Sequence, residues 1–198
     1  MAPSPDLPVV TVHSVAEAYL YLMVRPCLDC GRGPLKQRGD LTRTAAARGG
    51  WLLPAACGAC GHRVELAFDI QPPPTREQAR SDTINPTAER SQAIDLLGWI
   101  TLFQTILAES QKQTDRQLAR QLAWESAQCL DEALKFYDGD QELPAADAFF
   151  SDAARDRFRA HPEYFARSKW RERRLLLPDG RTRDAAAPRP RRRWWRFW

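Results

Sequence analysis

The residues of this chain best suited to chemistry are two Cys-x-x-Cys pairs, each followed directly by a glycine. In chain order these residues are Cys27, Cys30, Gly31, Cys57, Cys60 and Gly61. Four thiolates presented by two tight turns are the ligand set of a tetrahedral zinc site, with each sulphur about 2.3 Å from the ion. The spacing therefore predicts one metal site held by all four cysteines. Because four protein ligands leave no open position for water or substrate, the metal is expected to be structural.

Residues 25–70 resemble the zinc-ribbon family, and the two Cys-x-x-Cys-Gly turns carry that resemblance. Leu28 and Gly58 stand where many zinc ribbons have a proline. The resemblance implies a small β module closed on one structural Zn²⁺. It implies no single function, because zinc ribbons occur in nucleic-acid-binding proteins, in enzymes as structural inserts, and in protein adaptors. The overall layout is similar to that of uncharacterised bacterial zinc-ribbon proteins.

Two other uses of the four sulphurs are compatible with this spacing: an iron site and a redox-active dithiol. A rubredoxin-like iron site has the same ligands at a similar spacing, but the aromatic residues that usually surround such a site are not apparent near these turns. A redox-active dithiol would be expected within a thioredoxin-like βαβ context, which neither pair has. His62 could replace a cysteine ligand, but four cysteines suffice, so it is predicted to be a surface residue beside the site.

The segments around the cysteines read as short strands and one helix. Strands are predicted at 9–12, 35–41 and 51–53, and polar and apolar residues largely alternate from Arg63 to Ile70, as in a half-buried strand. Ser14 and Glu17 form a capping box that should start a helix running to about Val24.

The second part of the chain reads as helical. Apolar residues recur at spacings of three and four over 88–110 and again over 114–137, and the polar connection between them favours an antiparallel pair. Shorter helices fit 145–160 and the residues from Pro162 onward. We therefore predict an α+β protein with four parts: residues 1–71 with the ribbon, a Pro-rich linker at 72–87, a helical domain at 88–177, and a disordered tail at 178–198.

The charge of the chain is concentrated at one end. The whole sequence has a net charge of +4, but residues 167–198 contain twelve Arg or Lys and three acids, so this end is +9 and the remainder is −5. An end of this kind favours an acidic partner such as a protein face, an anionic membrane or nucleic acid. The residues predicted to bind it are Arg191, Arg192, Arg193, Trp194, Trp195, Arg196, Phe197 and Trp198.

The sequence offers no pattern typical of a catalytic site. It has three histidines and lacks a nucleophile elbow, a phosphate-binding loop and a dinucleotide fingerprint. Cys129 falls in an amphipathic helix and is predicted to be a buried small apolar residue. Residues 1–12 lack the features of a signal peptide, and together with an unpaired fifth cysteine this favours a reducing, cytoplasmic location.

These observations favour a non-enzymatic adaptor in which structural Zn²⁺ rigidifies a small sheet. The helices and the basic, aromatic tail are expected to bind a protein partner, and no small-molecule substrate is predicted. A nucleic-acid-binding regulator is the alternative, because Lys36, Arg38, Arg43, Arg48 and Arg63 place positive charge on the ribbon itself. An iron electron carrier is the third interpretation.

Overall fold

The protein is a mixed α+β molecule, as predicted. A computed structural model describes residues 8–44, 50–73 and 83–179. These residues group into two compact units. The first contains 8–44, 50–73, 83–87 and 91–93, and the second contains 88–90 and 94–179. Since much of the predicted linker lies outside the described residues, the predicted module boundaries stay predictions.

The first unit is a five-stranded sheet with one helix. Its elements are β1 (Val9–Val12), α1 (Val15–Val24), β2 (Leu35–Gln37), β3 (Thr42–Arg43), β4 (Gly50–Cys57) and β5 (Arg63–Ile70). The strand order is β1-β5-β4-β2, and β3 also pairs with β4. β1 runs parallel to β5, and the other pairings are antiparallel. The predicted β1, α1 and β5 are confirmed.

The strands around Pro54 differ from the prediction. The predicted strand at 35–41 ends at Gln37, which pairs with Ala55, and the predicted strand at 51–53 is the central strand β4. The next partner along β4 is Pro54, which has no N–H to donate to the neighbouring strand. Arg38 still donates to the carbonyl of Pro54 at 2.9 Å, and regular pairing stops there. Pairing with β4 resumes in β3, at Thr42.

Helix α1 starts on the predicted cap, with one difference. The Ser14 hydroxyl accepts from the amide of Glu17 at 3.0 Å, as expected. The Glu17 carboxylate reaches back one residue further than a capping box requires and accepts from the amide of His13 at 2.5 Å. Ser14 also donates its hydroxyl proton to the carbonyl of Ile84. This hydrogen bond ties a residue far along the chain to the start of α1.

The two faces of the sheet have different surroundings. On one face, β4 and β5 bury Leu53, Ala55 and Phe68, and the ring of Tyr21 on α1 meets Phe68 edge to face at 5.9 Å between centroids. The opposite face carries exposed charged side chains. Lys36 and Arg63 both lie beside Ala56, one on each side of β4. This face is therefore the solvent-facing side of the sheet in the described part of the chain.

The second unit is built on a helical hairpin. Its helices are α2 (Leu96–Lys112), α3 (Arg116–Leu134), α4 (Asp152–Ala160) and α5 (Arg167–Leu175), with 3₁₀ turns at Ala146–Ala148 and Pro162–Phe165. α2 and α3 pack along each other, and Ser110 donates to the carbonyl of Ala119 at 2.9 Å near their connection. The two helices predicted at 88–110 and 114–137 are present, but the observed helices begin later than predicted, at Leu96 and Arg116. The residues that precede them, Asp95 and Asp115, accept hydrogen bonds from first-turn amides through their carboxylates.

The shorter helices enclose a cluster of aromatic rings. Phe149 stacks on Phe158 at 4.8 Å and meets Phe165 edge to face at 5.0 Å. The Trp170 indole N–H donates to the carbonyl of Tyr164 at 3.0 Å. Phe149 is thus a core residue, while its neighbour Phe150 is exposed. None of the helices in the described ranges combines the length and apolar character required to cross a bilayer.

The double role of Ser14 leads to a prediction about stability. Replacing Ser14 by alanine removes both the helix cap and the buried hydrogen bond to Ile84, so the free energy of unfolding should fall by about 2 kcal/mol. Ser151→Ala is the matched control, because Ser151 caps α4 by accepting from Ala154 and its side chain is exposed. That variant should lose about 1 kcal/mol. Urea unfolding followed by circular dichroism compares the two, and equal losses would contradict the role of the Ile84 contact.

Candidate metal centre

The fold brings the four cysteines of the two pairs to one place. Their Sγ atoms all lie within 4.8 Å of one another. Cys27 Sγ is 3.8 Å from Cys60 Sγ, and Cys30 Sγ is 3.7 Å from Cys57 Sγ. Four sulphurs at about 2.3 Å from one ion, arranged as a tetrahedron, would be about 3.8 Å apart. The four cysteines are thus positioned to bind a metal ion.

The two cysteine pairs lie in two turns that have the same pattern of backbone hydrogen bonds. In the first turn, the amide of Gly31 donates to the carbonyl of Cys27 at 2.9 Å, and the amide of Cys27 donates to the carbonyl of Arg32 at 2.6 Å. In the second turn, Gly61 donates to Cys57 at 2.9 Å, and Cys57 donates to His62 at 2.8 Å. Identical bonding at two places in the chain explains how two short motifs present their sulphurs in matching geometry.

The glycine after each pair is required by the backbone. Gly31 has φ +67° and Gly61 has φ +77°, a left-handed conformation that side-chain-bearing residues rarely adopt. No heavy atom lies within 4 Å of the position that a Cβ would take at either residue. The backbone conformation, and not a lack of space, therefore favours glycine at both positions.

The sheet fixes the two turns relative to each other. Cys57 is the last residue of β4 and pairs with Leu35 of β2, which follows the first turn. Beyond the paired strands, Gly58 donates to the carbonyl of Pro34 at 2.9 Å. β4 and β5 flank the second turn, so each pair is joined directly to strands of one sheet.

The four ligands differ in their access to solvent. Cys27 and Cys57 are buried, Cys30 is half-buried, and Cys60 is exposed. His62 is also exposed, and it is not part of the cysteine cluster, in line with its predicted position beside the site. One side of the centre therefore faces the sheet and the other faces water.

The sulphurs do not ionise alike. The backbone amides of Cys60 and Ala59 lower the pKa of the Cys57 thiol to about 6, and the Ala59 amide lies 3.3 Å from its sulphur. The amide of His62 lowers the pKa of Cys60, but partial desolvation of its sulphur and the side chains of the other three cysteines outweigh it and raise that pKa to about 12. Four adjacent thiolates repel one another unless a cation lies between them. A divalent ion supplies that cation, and the donor set therefore fits a bound metal.

A lysine that the sequence did not connect with this centre lies over the second turn. A Cβ added to Gly58 would be 3.1 Å from Cε of Lys36, so the lysine side chain passes directly above this turn. Four thiolates around a divalent ion leave an excess of two negative charges. With a metal bound, an ammonium group held close to the centre would offset part of this charge. The sequence spacing held no signal for this contact, because it depends on the pairing of β2 with β4.

The remaining candidates from the sequence fall elsewhere. Cys129 is buried in α3, and its burial, with the nearby carboxylates of Glu125, Glu132 and Asp131, raises the pKa of its thiol well above the usual value. This confirms its prediction as a buried apolar residue. The tail residues from Arg191 to Trp198 lie outside the described residues. In the described ranges, the four cysteines are the one group of His, Cys, Asp or Glu side chains that could hold a metal.

Comparisons with known proteins return no relatives. No protein-family model, no curated protein and no solved structure matches this chain.

The geometry predicts how the centre responds to loss of one ligand. Cys57→Ser removes a buried sulphur at the end of the central strand, so the protein should lose its metal and the first unit should unfold. Metal content by mass spectrometry and circular dichroism with and without a chelator measure both effects. Cys129→Ser is the control, because it changes a buried cysteine outside the centre, and it should keep the metal. A Cys57→Ser protein that binds no metal but is as stable as the parent would contradict a structural role.

Proposed function

We propose that this protein is a non-enzymatic adaptor whose N-terminal sheet is held in shape by one structural zinc ion. The observation that carries the proposal is the closed set of four sulphurs, spaced as the corners of a metal-centred tetrahedron. Four protein ligands leave no position for a reacting water or substrate. The metal therefore contributes to folding, as structural sites in small sheets do.

The residues of the turns favour zinc over iron. The positions between the cysteines are Leu28, Asp29, Gly58 and Ala59, none of which has an aromatic ring to shield an electron-transfer centre. Leu28, Asp29 and Cys60 are exposed to water. An exposed centre without aromatic cover suits a redox-inert ion, and Zn²⁺ is the usual ion for four cysteines in two such turns.

The sheet is a platform with one free face. α1 covers one side, while the other side presents Lys36, Arg38 and Arg63 to solvent. None of these three forms an ion pair with any residue in the described ranges. A rigid face with unpaired cations suits an acidic protein surface, since such charges steer association and select partners.

The alternative is a nucleic-acid-binding regulator, and the same face favours it. Lys36 and Arg63 lie in one row across Ala56, and Arg38 lies beside Pro54 in the next row. Cations spread over a flat face can contact successive phosphates. Against this, Glu65 pairs with Pro54 in the same row as Arg38, and Arg43 pairs with Trp51 on the buried side of the sheet. Arg48 lies outside the described residues.

Metal analysis and nucleic-acid binding test the proposal together. We expect a colourless protein with one zinc per chain that loses its sheet when a chelator removes the metal. Fluorescent single-stranded and duplex oligonucleotides, titrated over a salt series, should show no binding that depends on the sheet face. The test variant is Arg38→Glu, Arg63→Glu, which keeps the tail, the four cysteines and the Lys36 side chain beside the second turn.

Two results would overturn the adaptor proposal. Visible absorption of a four-sulphur iron centre would indicate an electron carrier. Salt-sensitive oligonucleotide binding that is lost in the Arg38→Glu, Arg63→Glu variant would assign the sheet to phosphate recognition, because affinity for nucleic acid falls steeply as salt displaces such contacts.

A further inference from the structure

Two leucines at the end of α5 are unusually exposed. Leu175 and Leu176 each have 83% of their surface open to solvent. They are adjacent large apolar residues at a helix terminus, and burying them would be favourable for each. Exposed apolar surface of this kind, next to polar residues, typically marks an interaction site.

The anchoring of α5 explains why these leucines face outward. Trp170 is buried, and its ring meets Phe103 edge to face at 6.0 Å, which fixes the inner side of the helix. Arg174 bonds Asp131 of α3 at 2.7 Å on the neighbouring side. At 100° per residue, Leu175 and Leu176 then fall on the outer half of the helix surface. They cannot turn inward without breaking these contacts.

Cations flank the leucine pair on both sides. Arg171 precedes Leu175 by one helical turn, and Arg173 precedes Leu176 by three residues. Both arginines are exposed, and neither forms an ion pair with any residue in the described part of the chain. Lys169 lies over the ring of Tyr164 at 4.5 Å. Glu172 is the single acid within α5, and it lies three residues before Leu175 and four before Leu176, on the same outer side of the helix.

The sequence that follows has the same chemistry. The described chain ends at Asp179, and residues 180–198 contain seven arginines, one acid, three tryptophans and one phenylalanine. Cations next to apolar and indole side chains are the composition of segments that lie in the interface of an anionic membrane. Stable attachment to a bilayer requires more than one such signal, and this end of the chain supplies two.

We propose that the C-terminal end of α5 docks on an anionic lipid surface. Leu175 and Leu176 enter the boundary between headgroups and acyl chains, and Arg171 and Arg173 contact lipid phosphates beside them. A lipid surface suits this site better than nucleic acid does. Acyl chains can bury two leucines on the outside of a helix, whereas a phosphate backbone has no apolar region that can do so. The proposal concerns the second unit and does not depend on which metal, or which partner, the first unit binds.

Vesicle co-sedimentation of the full chain tests this docking. We expect the protein to bind vesicles of phosphatidylcholine with phosphatidylglycerol and to remain in solution with phosphatidylcholine alone. The variant Leu175→Ser, Leu176→Ser should bind the anionic vesicles about tenfold more weakly, because it keeps every cation and loses the inserted apolar surface.

The matched control is Leu28→Ser, which removes a leucine that is 78% exposed in the first cysteine turn. Its binding should equal that of the parent, and circular dichroism should confirm that both variants fold. Three results would overturn the proposal: no binding to anionic vesicles, equal binding by the Leu175, Leu176 variant, or equal loss in Leu28→Ser. Binding to a duplex oligonucleotide as tight as to vesicles, and unchanged in the leucine variant, would assign this end to phosphate polymers instead.

Discussion

The convergence of four sulphurs is the constraint on which the first unit depends. Sγ atoms 3.7 and 3.8 Å apart on facing turns would repel one another once ionised, and a cation bound among them would offset that repulsion. Two strands of this sheet are short. β2 has three residues and β3 has two, and neither pairing would persist as an isolated ribbon. The metal ligands and the sheet therefore stabilise each other: the strands align the turns, and the turns hold the strand ends together.

The second unit is stabilised in a different way. In the described ranges, three of its four α-helices begin at side chains that accept hydrogen bonds from first-turn amides: α2 at Asp95, α3 at Asp115 and α4 at Ser151. Its interior is a cluster of rings that includes Phe149, Phe165 and Trp170. Apolar burial of this kind needs no metal. A chelator should thus affect the sheet and leave the helices in place, which gives the two units distinct signatures in one unfolding experiment.

The sequence predicted local features well where a short motif determines the geometry. The Cys-x-x-Cys-Gly turns, the Ser14 cap and the alternation along β5 each depend on neighbours within a few residues, and each appears in the structure. The contacts that sequence reasoning missed depend on pairing between distant segments. Lys36 reaches the second turn because β2 pairs with β4, and β2 ends early because its next partner, Pro54, lacks an N–H. The four candidate ligands were thus predictable one by one, while their surroundings required the register of the sheet.

The hydrogen bond from Ser14 to Ile84 determines what the proline-rich segment can do as a connector. β1 and β5 run in parallel, so Ile70 lies beside Val12, two residues before Ser14. Ile84 is bonded to Ser14 itself, and its side chain is buried. The segment between Ile70 and Ile84 therefore begins and ends at neighbouring points of the first unit. Because loop-closure entropy grows slowly with added residues, a peptide tag inserted between these two points would lengthen a connection whose ends are both held in the first unit.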